Sequence, residues 1–170
     1  MTALEAMQAR HSVRSYSSQR VEDEKLKKVL EAIRLTPSRH NDQNIRVIVV
    51  RDPDMKKEIC RRAETQPMVE QADVLLVFCA TDKTDFIMPC GQYGYVVDMA
   101  LATGFSLVEA AEQGLDTCIV CAFQENAVKE LLQIPESARV VSMVVMGYGA
   151  GDSPRRQKKP LEEIVSYETF

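Results

Sequence analysis

The sequence predicts an α+β fold, with helices packed against one mixed sheet of about four strands. Three observations carry that expectation. Segments with helical spacing outnumber those with strand character. Separated runs rich in β-branched and apolar residues supply about four strands. No repeat, low-complexity tract or Pro/Gly/Ser linker divides the 170 residues. A chain of that length suits one domain at ~100–200 residues, so residues 1–170 are expected to form a single unit with a C-terminal arm over about 148–170.

The elements follow in chain order. A first helical stretch ends at Arg10. From Val21 to Leu35, the apolar residues Val21, Leu26, Val29, Leu30 and Ile33 recur at helical spacing, and Glu22, Asp23 and Glu24 fill the first turn, where the helix dipole favours anions. Pro37 ends that helix by forcing Thr36 out of helical geometry. Ile45 to Arg51 is β-branched and reads as a strand. Asp52-Pro53 then turns the chain into a helix over about Asp54 to Thr65. Asp73 to Ala80 is almost continuously apolar, as expected of a strand covered on both faces. Gln92 to Gln113 reads as a central buried helix closed by Gly114. Thr117 to Phe123 is a short buried strand or turn, Glu125 to Gln133 a helix with Pro135 beyond it, and Arg139 to Gly147 another buried strand. In the tail, Gly149, Gly151 and Pro154 precede Arg155, Arg156, Lys158 and Lys159, and Pro160 to Val165 forms a short helix or arm.

Composition narrows the function. Hydrophobic residues make up 45% and charged residues 27%, enough for a core inside a solvated surface. A net charge of −4 supplies no basic field for sequence-independent nucleic-acid binding. No apolar run approaches the roughly 20 residues of a membrane span, and Met1 to Met7 is too polar and short for a secretory signal. Five irregularly spaced cysteines do not form a disulfide framework; reduced thiols in a cytoplasmic protein are the expectation.

Three segments concentrate unusual chemistry. In Arg10-His11-Ser12-Val13-Arg14, guanidinium forks and a hydroxyl could cradle a phosphate, or the segment could be a solvated charged turn. In Pro37-Ser38-Arg39-His40-Asn41-Asp42-Gln43-Asn44, the amides of Asn41 and Gln43 at a strand mouth suit the mixed donor–acceptor edge of a flavin pyrimidine ring, although Pro, Ser and Asn also serve ordinary turn chemistry. In Gly114-Leu115-Asp116-Thr117-Cys118-Ile119-Val120-Cys121-Ala122-Phe123, the Cys-x-x-Cys invites a redox dithiol or half a zinc site. It reads as strand interior without a second ligand pair, so buried apolar thiols are the default. Glycine fingerprints of Rossmann, P-loop and α/β-hydrolase sites are missing.

Taken in order, these segments resemble the nitroreductase family of FMN-dependent oxidoreductases. Arg10-His11-Ser12-Val13-Arg14 matches the family's Arg-Arg/His-Ser-x-Arg/Lys. The run Thr36 to Gln43 matches Ala-Pro-Ser-x-x-Asn-x-Gln at Pro, Ser, Asn and Gln, while Asn44 and Ile45 replace the following Pro-Trp. Gly114 to Phe123 matches Gly-Leu-Gly-Thr-Cys-x-x-Gly-Ala-Phe, with Asp116 and Cys121 in place of two glycines. Gly147-Tyr148 and Lys158-Lys159-Pro160-Leu161-Glu162-Glu163-Ile164-Val165 match the closing strand and tail.

The resemblance implies a three-layer fold, its mixed or antiparallel sheet of four to five strands flanked by helices, in an intertwined homodimer with FMN at the subunit interface. It implies that NADH or NADPH gives hydride to FMN N5 and leaves before an acceptor enters, in a ping-pong cycle; the acceptor is a nitroaromatic, a quinone or an activated alkene. Arg10 and Ser12, with the His11 backbone, would hold the FMN phosphate with Lys158 and Arg156 from the tail. Arg14 would lie along the pyrimidine edge, and Ser38, Asn41 and Gln43 would reach the flavin from the partner subunit. The Cys121-Ala122 backbone would pass N5, and Asp116 and Cys121 would crowd it. Such crowding leaves open an FMN-binding storage or sensing protein with little turnover, and a dithiol protein using Cys118 and Cys121 is a third class. The segment Asp82 to Tyr95, with Phe86, Met88, Tyr93 and Tyr95, would line the acceptor pocket, although Met and aromatic residues there serve equally as core. Met99, Leu101, Phe105, Leu107 and Val108 on the central helix would meet the partner.

Overall fold

The computed structural model describes residues 1–170. Its helices are α1 (Ala3–Ala9), α2 (Asp23–Arg34), α3 (Pro53–Arg62), α4 (Met68–Gln71), α5 (Gly94–Glu112) and α6 (Glu125–Leu132); its strands are β1 (Ile45–Val50), β2 (Val74–Ala80), β3 (Asp116–Val120) and β4 (Arg139–Gly147). The strands form one sheet in the order β1-β2-β4-β3, and every pairing is antiparallel rather than mixed. No helix is long and apolar enough to cross a membrane.

The period-two alternation of strands divides β2 between two cores. Leu75 and Val77 face α3, α4 and α6, where they join Ile59, Val69, Val128, Met143 and Val145. Leu76 and Phe78 face α2 and α5, joining Val29, Ile33, Ala102, Leu107 and Val144. All seven residues of β2 are buried, which is why the run carries no polar alternation. The result is three layers, with helices on both faces of the sheet.

Several element boundaries differ from expectation for identifiable reasons. Val21 precedes α2 because its N–H donates to the Asp73 carboxylate at 2.9 Å instead of entering the helix. Gln92 belongs to a turn whose carbonyl accepts from Met88 N–H, and α5 begins after the Ile87–Tyr93 bridge. At the other end, Gly114 (φ +70°) closes α5: its N–H bonds Ala111 O, and Leu115 N–H bonds Ala110 O. That paired arrangement satisfies two orphan carbonyls through a left-handed residue. α4 lacks a periodic signal because it is only one turn long. β3 stops at Val120, so Cys121 is exposed and the expectation of two buried thiols holds for Cys118 alone. On α5, Met99 and Leu107 point into the chain's own core, whereas Val96, Val97, Leu101 and Phe105 stand exposed.

α6 is pinned to β4 through Glu125. Its carboxylate accepts from Arg139 Nε at 3.0 Å and from Val140 N–H at 2.8 Å, with Lys129 Nζ at 3.8 Å. Burial alone would raise this carboxyl, but the Arg139 and Val140 hydrogen bonds outweigh it and hold the group below its ordinary value of 4.5. A lowered carboxyl stabilises the fold above its unfolded pKa and loses that contribution as pH falls through the folded value. Glu125→Gln is therefore expected to cost about 1 kcal/mol at pH 7 once solvent screening is allowed for. Thermal melts of both proteins from pH 7 to pH 3 should show the difference closing on the acid side; an equal gap at every pH contradicts the assignment.

Candidate functional site

The site begins where α1 ends. Thr2 and Glu5 start the helix with reciprocal side-chain caps, and Arg10 leaves it in an extended conformation (φ −62°, ψ 129°). Ser12 then bridges Thr117 of β3, and Val13 N–H donates to Thr117 O at 3.0 Å. In an extended run alternate residues share a side. Val13 is buried, so Arg10, Ser12 and Arg14 form the outward set.

The tail closes the other side. Ser17 N–H donates to Tyr148 O at 2.8 Å and Ala150 N–H to Ser15 O at 2.9 Å. Between them Gly149 N–H donates to the Asp116 carboxylate at 2.8 Å. A Cβ on Gly149 would stand 2.9 Å from that carboxylate oxygen and 3.1 Å from Val13, so a side chain there would push the carboxylate off its hydrogen bond. Farther along, Arg155 donates to Gln8 O at 2.7 Å and to Ala9 O at 2.8 Å, satisfying carbonyls that the end of α1 leaves free.

These contacts shape a cleft of about 560 Å³ that contains Arg10, His11, Ser12, Arg14, Arg156 and Lys158, all expected from sequence, together with Arg155. Five cationic side chains and no carboxylate line it. The chain's acidic balance resides elsewhere, and none of the five cations forms an ion pair. Such a donor set suits a phosphate: guanidinium forks, an ammonium and a hydroxyl converge with nothing to neutralise them. Arg155 was visible only as one of several tail cations, and its place under α1 has no local sequence signal.

Ser38, Asn41 and Gln43 lie elsewhere. A 3₁₀ turn spans Arg39–Asn41, with Gln43 N–H donating to Ser38 Oγ at 3.0 Å and Arg39 N–H to Asp98 Oδ1 at 3.0 Å. His40, Asn41 and Gln43 all have positive φ, at 50°, 58° and 50°. Left-handed non-glycine residues are costly and cluster where geometry serves function. Asn41 and Gln43 are exposed, and within one chain neither lines the basic cleft. Cys121 and Ala122 are also outside it, four and five residues beyond Thr117 and past the end of β3. Cys118 is buried and Cys121 exposed, so the geometry gives a dithiol no support.

Comparison with known proteins bears on this arrangement. The sequence profile described as Nitroreductase family matches residues 7–148. The chain belongs to the nitroreductase family. A Bacillus subtilis relative named FMN reductase [NAD(P)H] is 33% identical over 175 residues, covering 94% of this chain and 70% of its own length. Among solved structures, a nitroreductase family protein from Clostridium difficile superposes with a TM-score of 0.86 at 27% identity over 100% of both chains. A hypothetical oxidoreductase from Bacillus subtilis gives 0.87 at 31% identity, covering 100% of this chain and 75% of its own.

In this nitroreductase-family chain, Asp116 departs from the expected glycine with a visible purpose. Its carboxylate binds the Gly149 backbone and fastens the tail. Asp116→Ala should leave that exposed N–H to water at a net cost of about 1 kcal/mol and loosen the tail. Trypsin should then cut after Arg155 or Arg156 several-fold faster than in the parent, with the remaining fold intact by circular dichroism. Unchanged cleavage would place tail docking elsewhere.

Proposed function

We propose that the protein is an FMN-dependent oxidoreductase that takes hydride from NADH or NADPH and delivers it to a nitroaromatic, a quinone or an activated alkene. The observation that carries the reading is the un-neutralised basic cleft at Arg10, Ser12, Arg156 and Lys158. Its size and donors fit one phosphate group with its attached chain, and FMN, unlike FAD, carries a single phosphate. The name of the Bacillus subtilis relative supports the same cofactor and reductant.

Bound FMN supplies a ring nitrogen, N5, that accepts hydride and returns it. The residues do the rest. Arg10, Ser12, Lys158 and Arg156 bind the phosphate, with Arg155 bracing α1 beside them. Arg14, two residues past Ser12 on the same side, places a cation along the pyrimidine edge and stabilises negative charge there. Reductant and acceptor use one open site in turn, as a ping-pong cycle requires. The passive flavin-binder alternative rested on crowding by Asp116 and Cys121, and Asp116 is committed to Gly149.

Within this reading the other half of the site comes from a second chain. Ser38, Asn41 and Gln43, the last two with costly left-handed backbones, do not line the cleft of their own chain and serve the partner's flavin. Val96, Val97, Leu101 and Phe105 form an exposed apolar stripe along α5, each 40–43% accessible, which a symmetric partner covers. The edge strand β3 shows Ile119 outward, and the tail carries exposed Ile164, Val165 and Phe170, so exchange of tails is a natural part of that association.

Purified protein should be yellow, should bleach with NADH or NADPH under argon, and should release FMN on extraction. FAD, or no flavin, contradicts the reading, and colour without bleaching favours the passive binder. Arg10→Ala should weaken FMN binding at least tenfold by removing one partner of a charge-assisted pair, a loss of roughly 2–5 kcal/mol; full occupancy after dialysis would misplace the phosphate. For the assembly, sedimentation over a hundredfold dilution should show a dimer, and melting temperature should rise with concentration. A folded, flavin-loaded monomer would refute the shared site.

A further inference from the structure

A separate cavity, of about 420 Å³, lies on the sheet face that packs against α3, α4 and α6. None of the residues assigned above to the flavin, the acceptor pocket or the exposed α5 stripe lines it. One wall is the β1–β2 pair, where Arg46 stands opposite Cys79 and Ile48 opposite Val77. The other is the turn from α6 to β4, with Leu132, Ile134, Pro135 and Ala138. That turn is held at several points. Gln133 ends α6 in a left-handed conformation, Ile134 N–H donates to Lys129 O at 2.9 Å, and Ala138 N–H donates to Pro135 O at 3.0 Å. Lys129 Nζ donates to Glu136 O at 3.1 Å, and Thr84 Oγ1 to Ser137 O at 3.1 Å. Across from it the β2–β4 register shifts between Phe78 and Cys79, a bulge that bends the sheet beside the cavity. Walls fixed in this way keep the space open, and its volume falls within the roughly 300–1,000 Å³ usual for small-molecule sites.

Arg46 is the one charged side chain in the lining, and its guanidinium forms no ion pair or hydrogen bond within the chain. The carboxylate whose field reaches Cys79, Glu125, is committed to Arg139 and Val140 N–H. Cys79 itself is no nucleophile: burial pushes its thiol up to about 11, so it stays neutral and serves as apolar wall. We propose that this cavity binds a small organic acid, its carboxylate on Arg46 and its aliphatic or aromatic body against Ile48, Leu132 and Ile134. The guanidinium fork matches a carboxylate in shape and charge. One cation among apolar walls is a poor match for a phosphate, for which the chain has the five-cation cleft. An amine of the same shape would meet like charge.

The probes are octanoate, octanol and octylamine, titrated calorimetrically into the purified protein in phosphate buffer, whose anion competes for the basic cleft. Octanoate is expected to bind saturably and about fivefold tighter than octanol, the strength of one partly exposed ion pair, with octylamine weaker than both. Arg46→Gln removes the charge from an exposed position and should level acid and alcohol. Thr81→Trp, on the exposed rim of the cavity, should obstruct its mouth and weaken acid and alcohol alike. No saturable octanoate binding, equal binding of acid and alcohol, an acid preference surviving Arg46→Gln, or undiminished binding in Thr81→Trp would each overturn the proposal. Flavin colour, read in the same samples, separates the two readings: acid binding by a colourless protein leaves this inference standing and removes the flavin assignment.

Discussion

The docking of residues 12–17 between β3 and the tail is the constraint on which the rest of the site depends. Val13 N–H on Thr117 O, Ser17 N–H on Tyr148 O and Ala150 N–H on Ser15 O are ordinary backbone hydrogen bonds. Together they oblige two ends of a chain with net charge −4 to place five cations around one space. Two like charges repel by about 1 kcal/mol at 4 Å in water and by about 4 kcal/mol at the effective dielectric near a protein surface. Left to themselves these side chains would spread apart or recruit carboxylates. The fold supplies backbone pairing that holds their stems and withholds any carboxylate from the cleft, so the charge remains available to an anionic ligand.

That constraint explains how the tail can be part of the site without being part of the core. Nearly every residue from Gly151 onward is exposed, and no apolar cluster anchors the arm. Its position is set by polar contacts alone: Asp116 on Gly149, then Arg155 on the last carbonyls of α1. An element held this way opens at a low free-energy cost compared with a buried strand such as β2. On the proposed function, such an element would let a phosphate-bearing ligand enter and leave.

What was legible in the sequence divides along the range of the interactions. β4 over Arg139–Gly147 and β1 from Ile45 were readable because burial on a sheet writes itself as β-branched and apolar runs. The end of α5 was readable because only a left-handed residue such as Gly114 makes that closure. The order of Arg10, Ser12, Ser38, Asn41 and Gln43 was readable as a family pattern, but their spatial grouping was not. Asp116 looked like an intrusion because its partner, Gly149, is remote in sequence. Cys121 looked buried because local hydrophobicity does not mark the residue at which a strand stops pairing. Met99 and Leu107 were assigned outward with Leu101 and Phe105 because an all-round apolar helix hides which stripe is core.

The remaining step concerns the Ser38–Asn44 loop. Three left-handed non-glycine residues in four positions cost energy that the loop's own contacts only partly offset: Gln43 N–H on Ser38, Gln43 Nε2 on Asn41 O, and Arg39 N–H on Asp98. Glycine at any of them would relieve the strain, yet the sequence keeps side chains with amide or imidazole groups. On the proposed function those groups act when the loop is displayed outward, since within one chain they do not line the basic cleft. On the two-chain reading the account balances. Each loop completes its partner's site, binding of a ligand there favours the dimer by mass action, and the dimer in turn holds the loop in the conformation that it could not justify alone.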